Sequence, residues 1–193
     1  MAEKNMTEKN VTQSSRRTAQ QEAAVRNTSP DFAGLDGIKA QQRGQLDQFE
    51  RWAAKEDWGR FHGNHYDWWM FPIDRDSGGQ GAEWTVYAED IEELKRDPDF
   101  VRDYLRGVTL LMAAWGWDLS AVALLPHPSP DQRWQHHSVR LFKAARSLRL
   151  FGFETEFASL KRYAQILMDR GEAMSYGGHD LRWLFTTGID PQR

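Results

Sequence analysis

The chain contains no cysteine, which excludes disulfides, thiolate metal centres and a thiol nucleophile together. Long apolar runs are also missing. The longest, Val108 to Trp117, is about ten residues and includes Gly116, against the roughly 18 that a spanning helix needs. The polar start, Met1 to Glu8, has no apolar stretch of the secretory kind. These absences set the expectation of a soluble, cytoplasmic protein without a transmembrane segment. The Gly78-Gly79-Gln80-Gly81 turn lacks a following Lys-Ser or Lys-Thr, and Asp74 and Asp76 beside it would repel phosphate, so it is not read as a nucleotide loop. No Gly-x-Ser-x-Gly elbow occurs, and Ser138 and Ser147 fall inside a helical pattern, a poor place for an exposed nucleophile. The expectation is a non-enzyme with no catalytic residue and no cofactor.

Charge of either sign is not in large excess. The formal net charge is −3. Residues 1–45 hold seven Lys/Arg and five Asp/Glu, a net of +2, which leaves −5 on the remainder. Neither value points by itself to a nucleic acid or a membrane surface. What the chain does have is tryptophan: nine residues, all after position 51. The front is rich in Gln, Asn, Thr, Ser and mixed charge, with Phe32 as its single aromatic. Residues 1–40 are therefore expected to be a disordered tail, since they cannot bury enough apolar area to offset their ordering entropy. A short helix at Thr18–Val25 that orders on a partner is the alternative. Residues 41–193 are expected to form one domain of roughly 150 residues, long enough to bury about 70% of its unfolded surface.

Helical periodicity dominates that domain. Gln41–Ala54 reads as a first helix with Leu46, Phe49 and Trp52 on one face. Tyr87–Arg96 follows, with Ile91 and Leu94 inward. Asp97 is an N-cap with Pro98 at the first helical position. The next helix carries a buried stripe of Val101, Tyr104, Leu105, Val108, Leu111, Met112 and Trp115, and Gly116 ends it. Ala121–Pro130 reads as a rigid loop. Asp131 is expected to cap a helix running to Phe151, with Gly152 as its left-handed stop. Thr155–Arg170 and a final short helix, His179–Thr186, complete the series. No convincing hairpin is visible. The fold class is all-α, a single compact domain of about five to seven helices.

One segment fits neither the helical nor the strand period: His62-Gly-Asn-His-Tyr-Asp-Trp-Trp-Met-Phe-Pro-Ile73, with two histidines and four aromatics in twelve residues. Pro72 fixes its own φ and pushes Phe71 towards extended geometry, so the segment stops there. Aromatic side chains bury the most area per residue, and Tyr66, Trp68 and Trp69 also carry a polar tip that wants a partner. Trp69 and Trp115 are expected in the core.

Three blocks resemble the conserved N-terminal domain of the opioid growth factor receptor family. They are His62…Tyr66…Trp69-Met-Phe-Pro-Ile73; Ala88-Glu-Asp-Ile-Glu-Glu-Leu-Lys-Arg-Asp97…Phe100-Val-Arg-Asp-Tyr-Leu105 with Leu111-Met-Ala-Ala-Trp-Gly116; and His136…Arg140-Leu-Phe-Lys-Ala-Ala-Arg-Ser-Leu-Arg-Leu-Phe-Gly152. The likeness spans residues 45–187 and looks like a compact bacterial-type member. A His-Asn pair of the family reads His136-His137 here. The resemblance implies a small helical domain with receptor activity towards a peptide, and in vertebrate members an association with nuclear membranes.

Arg140, Lys143, Arg146 and Arg149 recur every three residues, and the resulting basic helix admits three readings: a solvated face paired with Glu92, Glu93 or Asp103, an acidic-peptide surface, or a phosphate-backbone surface. Asp67 is the preferred internal partner of Arg140, since a partly buried Arg seeks a carboxylate. The leading functional reading is a groove for a peptide or protein partner between the aromatic segment 62–73 and the basic helix 136–149. His62, Tyr66, Trp69, Phe71, His136, Arg140 and Lys143 would line it. A nucleic-acid module using the basic helix is the alternative. A metal or hydrolytic site built from His62, His65 and His136 stands lower, because two histidines spaced three apart, with no Cys and no His-Glu-x-x-His pattern, are a weak zinc signal, and no metal ligand is assigned.

Overall fold

A computed structural model describes residues 25–63 and 65–191 of the chain. The first 24 positions of the expected tail, and most of the alternative helix at Thr18–Val25, lie outside the described residues. The described part is all-α. It contains six α-helices: α1 (Gly34–Ala54), α2 (Asp67–Met70), α3 (Ala88–Lys95), α4 (Pro98–Ala114), α5 (Ser138–Phe151) and α6 (Glu154–Asp169). Helix α1 packs along α4, and α5 along α6; α5 also meets α2, α3 and the C-terminal segment.

Helix α1 begins at Gly34, before the expected Gln41, because the strap in front of it is anchored. The Asn27 amide N–H donates to Asp90 Oδ2 at 2.8 Å, and its side-chain Nδ2 donates to the carbonyls of Ala82 and Thr85. Ala33 N–H donates to Glu83 O at 3.0 Å. Along α1, Ile38, Gln42, Gln45 and Phe49 are buried. Their i, i+4, i+7, i+11 spacing is a helical stripe in which two of the four positions are glutamine.

The Asp97-Pro98 boundary is as expected. Asp97 Oδ1 accepts from the N–H groups of Asp99 and Phe100 at 3.0 and 3.2 Å. Ile91 and Leu94 point inward. Gly116 (φ +74°) ends the turn after α4, and a Cβ there would lie 2.8 Å from Gln132 O. Gly152 closes α5 with φ +76°. Trp115 and Trp117 are each 1% exposed at the centre of the core, whereas Trp69 is only half-buried at its margin.

Three expectations need correction. Asp131 does not cap α5, which starts at Ser138. Residues 129–132 fold instead into a turn on the end of α4, where Gln132 Nε2 donates to Ala113 O at 3.0 Å and Ser129 N–H donates to Gln132 Oε1 at 2.8 Å. Two small antiparallel hairpins occur, β1 (Trp117–Asp118) with β2 (Ala123–Leu124), and β3 (Ser175–Tyr176) with β4 (His179–Asp180). The expected helix at 179–186 is therefore a strand followed by a 3₁₀ turn, Arg182–Leu184. Leu181, Leu184 and Phe185 are buried as its apolar spacing required.

Candidate functional site

The aromatic segment folds into a 3₁₀ turn, Trp58–His62, and then the single turn α2. Phe61, Tyr66, Met70 and Phe71 are buried, with Phe49 lying 4.5 Å from Phe61 and edge-on to Tyr66 at 4.8 Å. The Tyr66 hydroxyl donates to Phe61 O at 2.6 Å, and burial pushes its pKa up.

Facing it is α5, the most enclosed helix of the fold. Arg140, Lys143 and Arg146 are only 7, 5 and 6% exposed. Buried cations must be paired, because transfer of a lone charge out of water costs several kcal/mol at least. Each is paired. Arg140 Nε lies 3.5 Å from Asp67 Oδ1, and its Nη1 and Nη2 donate to the carbonyls of Phe61 and Gly63 at 3.0 and 3.3 Å. Its guanidinium sits 4.8 Å from the centroid of Tyr66. Lys143 Nζ donates to Asp67 Oδ2 at 2.5 Å and stands over the Trp68 ring, 3.0 Å from its centroid. Burial lowers the Lys143 pKa to about 8 despite Asp67. Arg146 makes a bidentate pair with Asp74 at 2.6 and 2.9 Å, and Asp190, itself bound to Arg75, lies 3.8 Å from its Nη1. Arg149 alone of the four is exposed, donating to Gly188 O at 3.3 Å.

The expected Asp67–Arg140 pair is present, but the acids holding the helix differ from those expected. Glu92 pairs with Lys95, Glu93 with Arg26, and Asp103 with Arg43 and Arg102. The basic helix is thus not a solvated face. Its contact with the aromatic segment is a closed, ion-paired seam, and Tyr66, Phe71, Arg140 and Lys143 are held inside the protein rather than along an open groove.

The histidines separate. His62 stacks on His137 with ring centroids 5.4 Å apart and an 18° interplanar angle, and neither His62 nitrogen has a hydrogen-bond partner among the described residues. Burial, with His137 and Arg140 nearby, lowers the His62 pKa to about 4 against a raising contribution from Asp131. Burial and then Arg140 lower that of His137. His136 turns away to Glu172, Nδ1 to Oε2 2.7 Å, beside Trp134. His65 lies elsewhere, in the cleft described next. Among the described residues no three His, Asp or Glu side chains come together as a ligand set.

An open cleft of about 360 Å³ lies on the other side of the aromatic segment. Helix α1 contributes Gln41, Gln45 and Gln48; the aromatic segment contributes His65 and Trp69; the turn before α3 contributes Gln80. Three polar atoms of these residues are buried without a partner among the described residues: Gln45 Nε2, Trp69 Nε1 and Gln80 Oε1. Trp84, 5.5 Å from Trp69 and tilted 60° to it, adds an unpaired Nε1. Sequence reasoning singled out Trp69 here and missed the glutamines, although Gln41, Gln45 and Gln48 recur at i, i+4 and i+7.

No helix among the described residues is long and apolar enough to cross a membrane. Compared with family models, with curated proteins and with solved structures, the chain matches none of them, so the likeness to the opioid growth factor receptor family rests on its three sequence blocks.

Proposed function

We propose that the protein is a non-enzymatic binding domain of the opioid growth factor receptor type that recognises a peptide or protein partner through the cleft between α1 and the aromatic segment. The observation that carries this reading is the open cleft itself, lined by Gln41, Gln45 and Gln48 of α1 with His65, Trp69 and Gln80 and by no Asp, Glu, Lys or Arg. The hydroxyls of Ser138 and Ser147 are engaged within the fold: Ser138 Oγ donates to Ser175 O at 2.8 Å, and Ser147 Oγ accepts from the Tyr104 hydroxyl at 2.9 Å. The proposal places the domain in the cytoplasm, where a chain without cysteine needs no oxidising environment.

The test is selection from a displayed library of random peptides, followed by competition against wild type and Gln45→Leu. Enriched peptides that lose affinity for the variant support the reading; a library with no enriched peptide, or one insensitive to Gln45, overturns it. A nucleic-acid role fares less well, since three cations of the basic helix are already neutralised by Asp67, Asp74 and Asp190. Any oligonucleotide binding should therefore show little salt dependence; a steep fall in affinity with salt would revive that alternative.

A further inference from the structure

We infer that His136 is a phosphoryl-acceptor site: its Nε2 takes the phosphoryl group of an acyl phosphate, and Glu172 holds the ring from the other side. This site is separate from the cleft on α1, with which it shares no lining residue. His136 stands just before α5 with φ +60°, a left-handed backbone that is unusual for a residue with a Cβ. Its side chain is 75% exposed. Nδ1 lies 2.7 Å from Glu172 Oε2, and Nε2 has no hydrogen-bond partner among the described residues. In a neutral imidazole one nitrogen donates and the other accepts, and a carboxylate can only accept. Nδ1 therefore carries the hydrogen, and the free lone pair is on Nε2.

The carboxylate that holds the ring is itself fixed. Glu172 follows α6, and its N–H donates to Leu167 O at 3.0 Å. Trp134 Nε1 donates to the same Oε2 at 3.2 Å, and the Trp134 ring packs edge-on against the buried Trp115, with centroids 5.1 Å apart. An exposed imidazole is thus oriented by a chain of contacts that ends in the core, with Glu172 as the positioning residue. In the transfer, the Nε2 lone pair attacks phosphorus. The P–O bond to the acyl group breaks, and the carboxylate leaving group departs with that electron pair. Nδ1 keeps its proton, so the ring gains positive charge as the N–P bond forms, and Glu172 faces that charge. Phosphoryl transfer asks of its acceptor mainly a positioned lone pair, which a carboxylate-backed imidazole supplies.

The experiment incubates the folded chain with acetyl phosphate at neutral pH. Added phosphoryl groups are located by peptide mass spectrometry under alkaline handling, which preserves the N–P bond. His65 and His127, also exposed, are the internal comparison. His136 should be phosphorylated at least about tenfold faster than either, the range in which a carboxylate partner changes the activity of the histidine it orients. His136→Gln should abolish that product. Glu172→Gln should bring His136 down to the rate of His127 and leave His65 and His127 unchanged; an unfolded variant would instead raise the labelling of the half-buried His62 and His137. Trp134→Phe, which keeps a ring against Trp115 but frees Glu172 from the indole, should give a smaller loss in the same direction. No labelling, or equal labelling of His65, His127 and His136, would overturn the inference. So would a preference for His136 that survives Glu172→Gln.

Discussion

The two sides of the single turn Asp67–Met70 handle buried polarity in opposite ways. Towards α5, Asp67 takes Arg140 and Lys143, and the charged groups of the seam are paired. Towards α1, Trp69 shares a cleft with glutamines, and Gln45 Nε2, Trp69 Nε1 and Gln80 Oε1 have no partner among the described residues. The difference follows from the chemistry of the groups. A buried charge without a partner is too expensive to keep, so charged positions must be paired within the fold. A neutral amide left open costs far less, about 1–3 kcal/mol, so a fold can tolerate one.

The largest expected effect breaks the closed side. Asp67→Ala would strip the carboxylate from two buried cations and should destabilise the protein by roughly 3–5 kcal/mol, read from equilibrium denaturation. A loss below about 1 kcal/mol would mean that the seam is wetter than the burial of Asp67 implies. The stacked histidines at the edge of the same seam give a smaller, pH-dependent effect. The His62 pKa lies at about 4 in the fold against 6.5 unfolded. Between those values the unfolded chain binds the extra proton, so stability is fully present above about pH 6.5 and falls as the pH drops towards 4, with His137 acting in the same direction. His62→Phe keeps the ring contact and should flatten that acid slope by up to about one proton; an unchanged slope would place the titration elsewhere. The smallest effect sharpens the open side. Gln45→Leu removes an unpaired buried amide and should leave stability unchanged or raise it by up to about 1 kcal/mol in the same denaturation assay. A loss above about 2 kcal/mol would show that Gln45 is already paired and the cleft is structural.

Much of the frame was legible where local chemistry decides alone. Asp97-Pro98, Gly116 and Gly152 mark helix ends by side-chain capping and left-handed backbone, and the stripe of α4 is a plain helical repeat. Asp131 misled because a capping residue is only a local offer, and the contact of Gln132 with Ala113 O outcompeted it. The hairpins escaped notice because strands of two residues have no period to read. Within the candidate site, Asp67 with Arg140 was legible from charge and spacing. The burial of the whole basic face was not, since Asp74 and Asp190 come from distant parts of the chain. Nor was the cleft: a glutamine on a helical stripe looks solvated until the neighbour that covers it is known.

The seam on α5 also has an order in time. When Arg146 is synthesised, Asp67 and Asp74 already exist in the chain, so the rungs of Arg140 and Lys143, and the bidentate rung of Arg146, are available as soon as α5 forms. Asp190 follows 44 positions after Arg146 (190 − 146), which at about 5–20 residues per second is on the order of 2–9 s. The pairs of Asp190 with Arg75 and Arg146 can thus form only after Asp190 has been made, and they tie that late residue back to the segment at Asp74–Arg75.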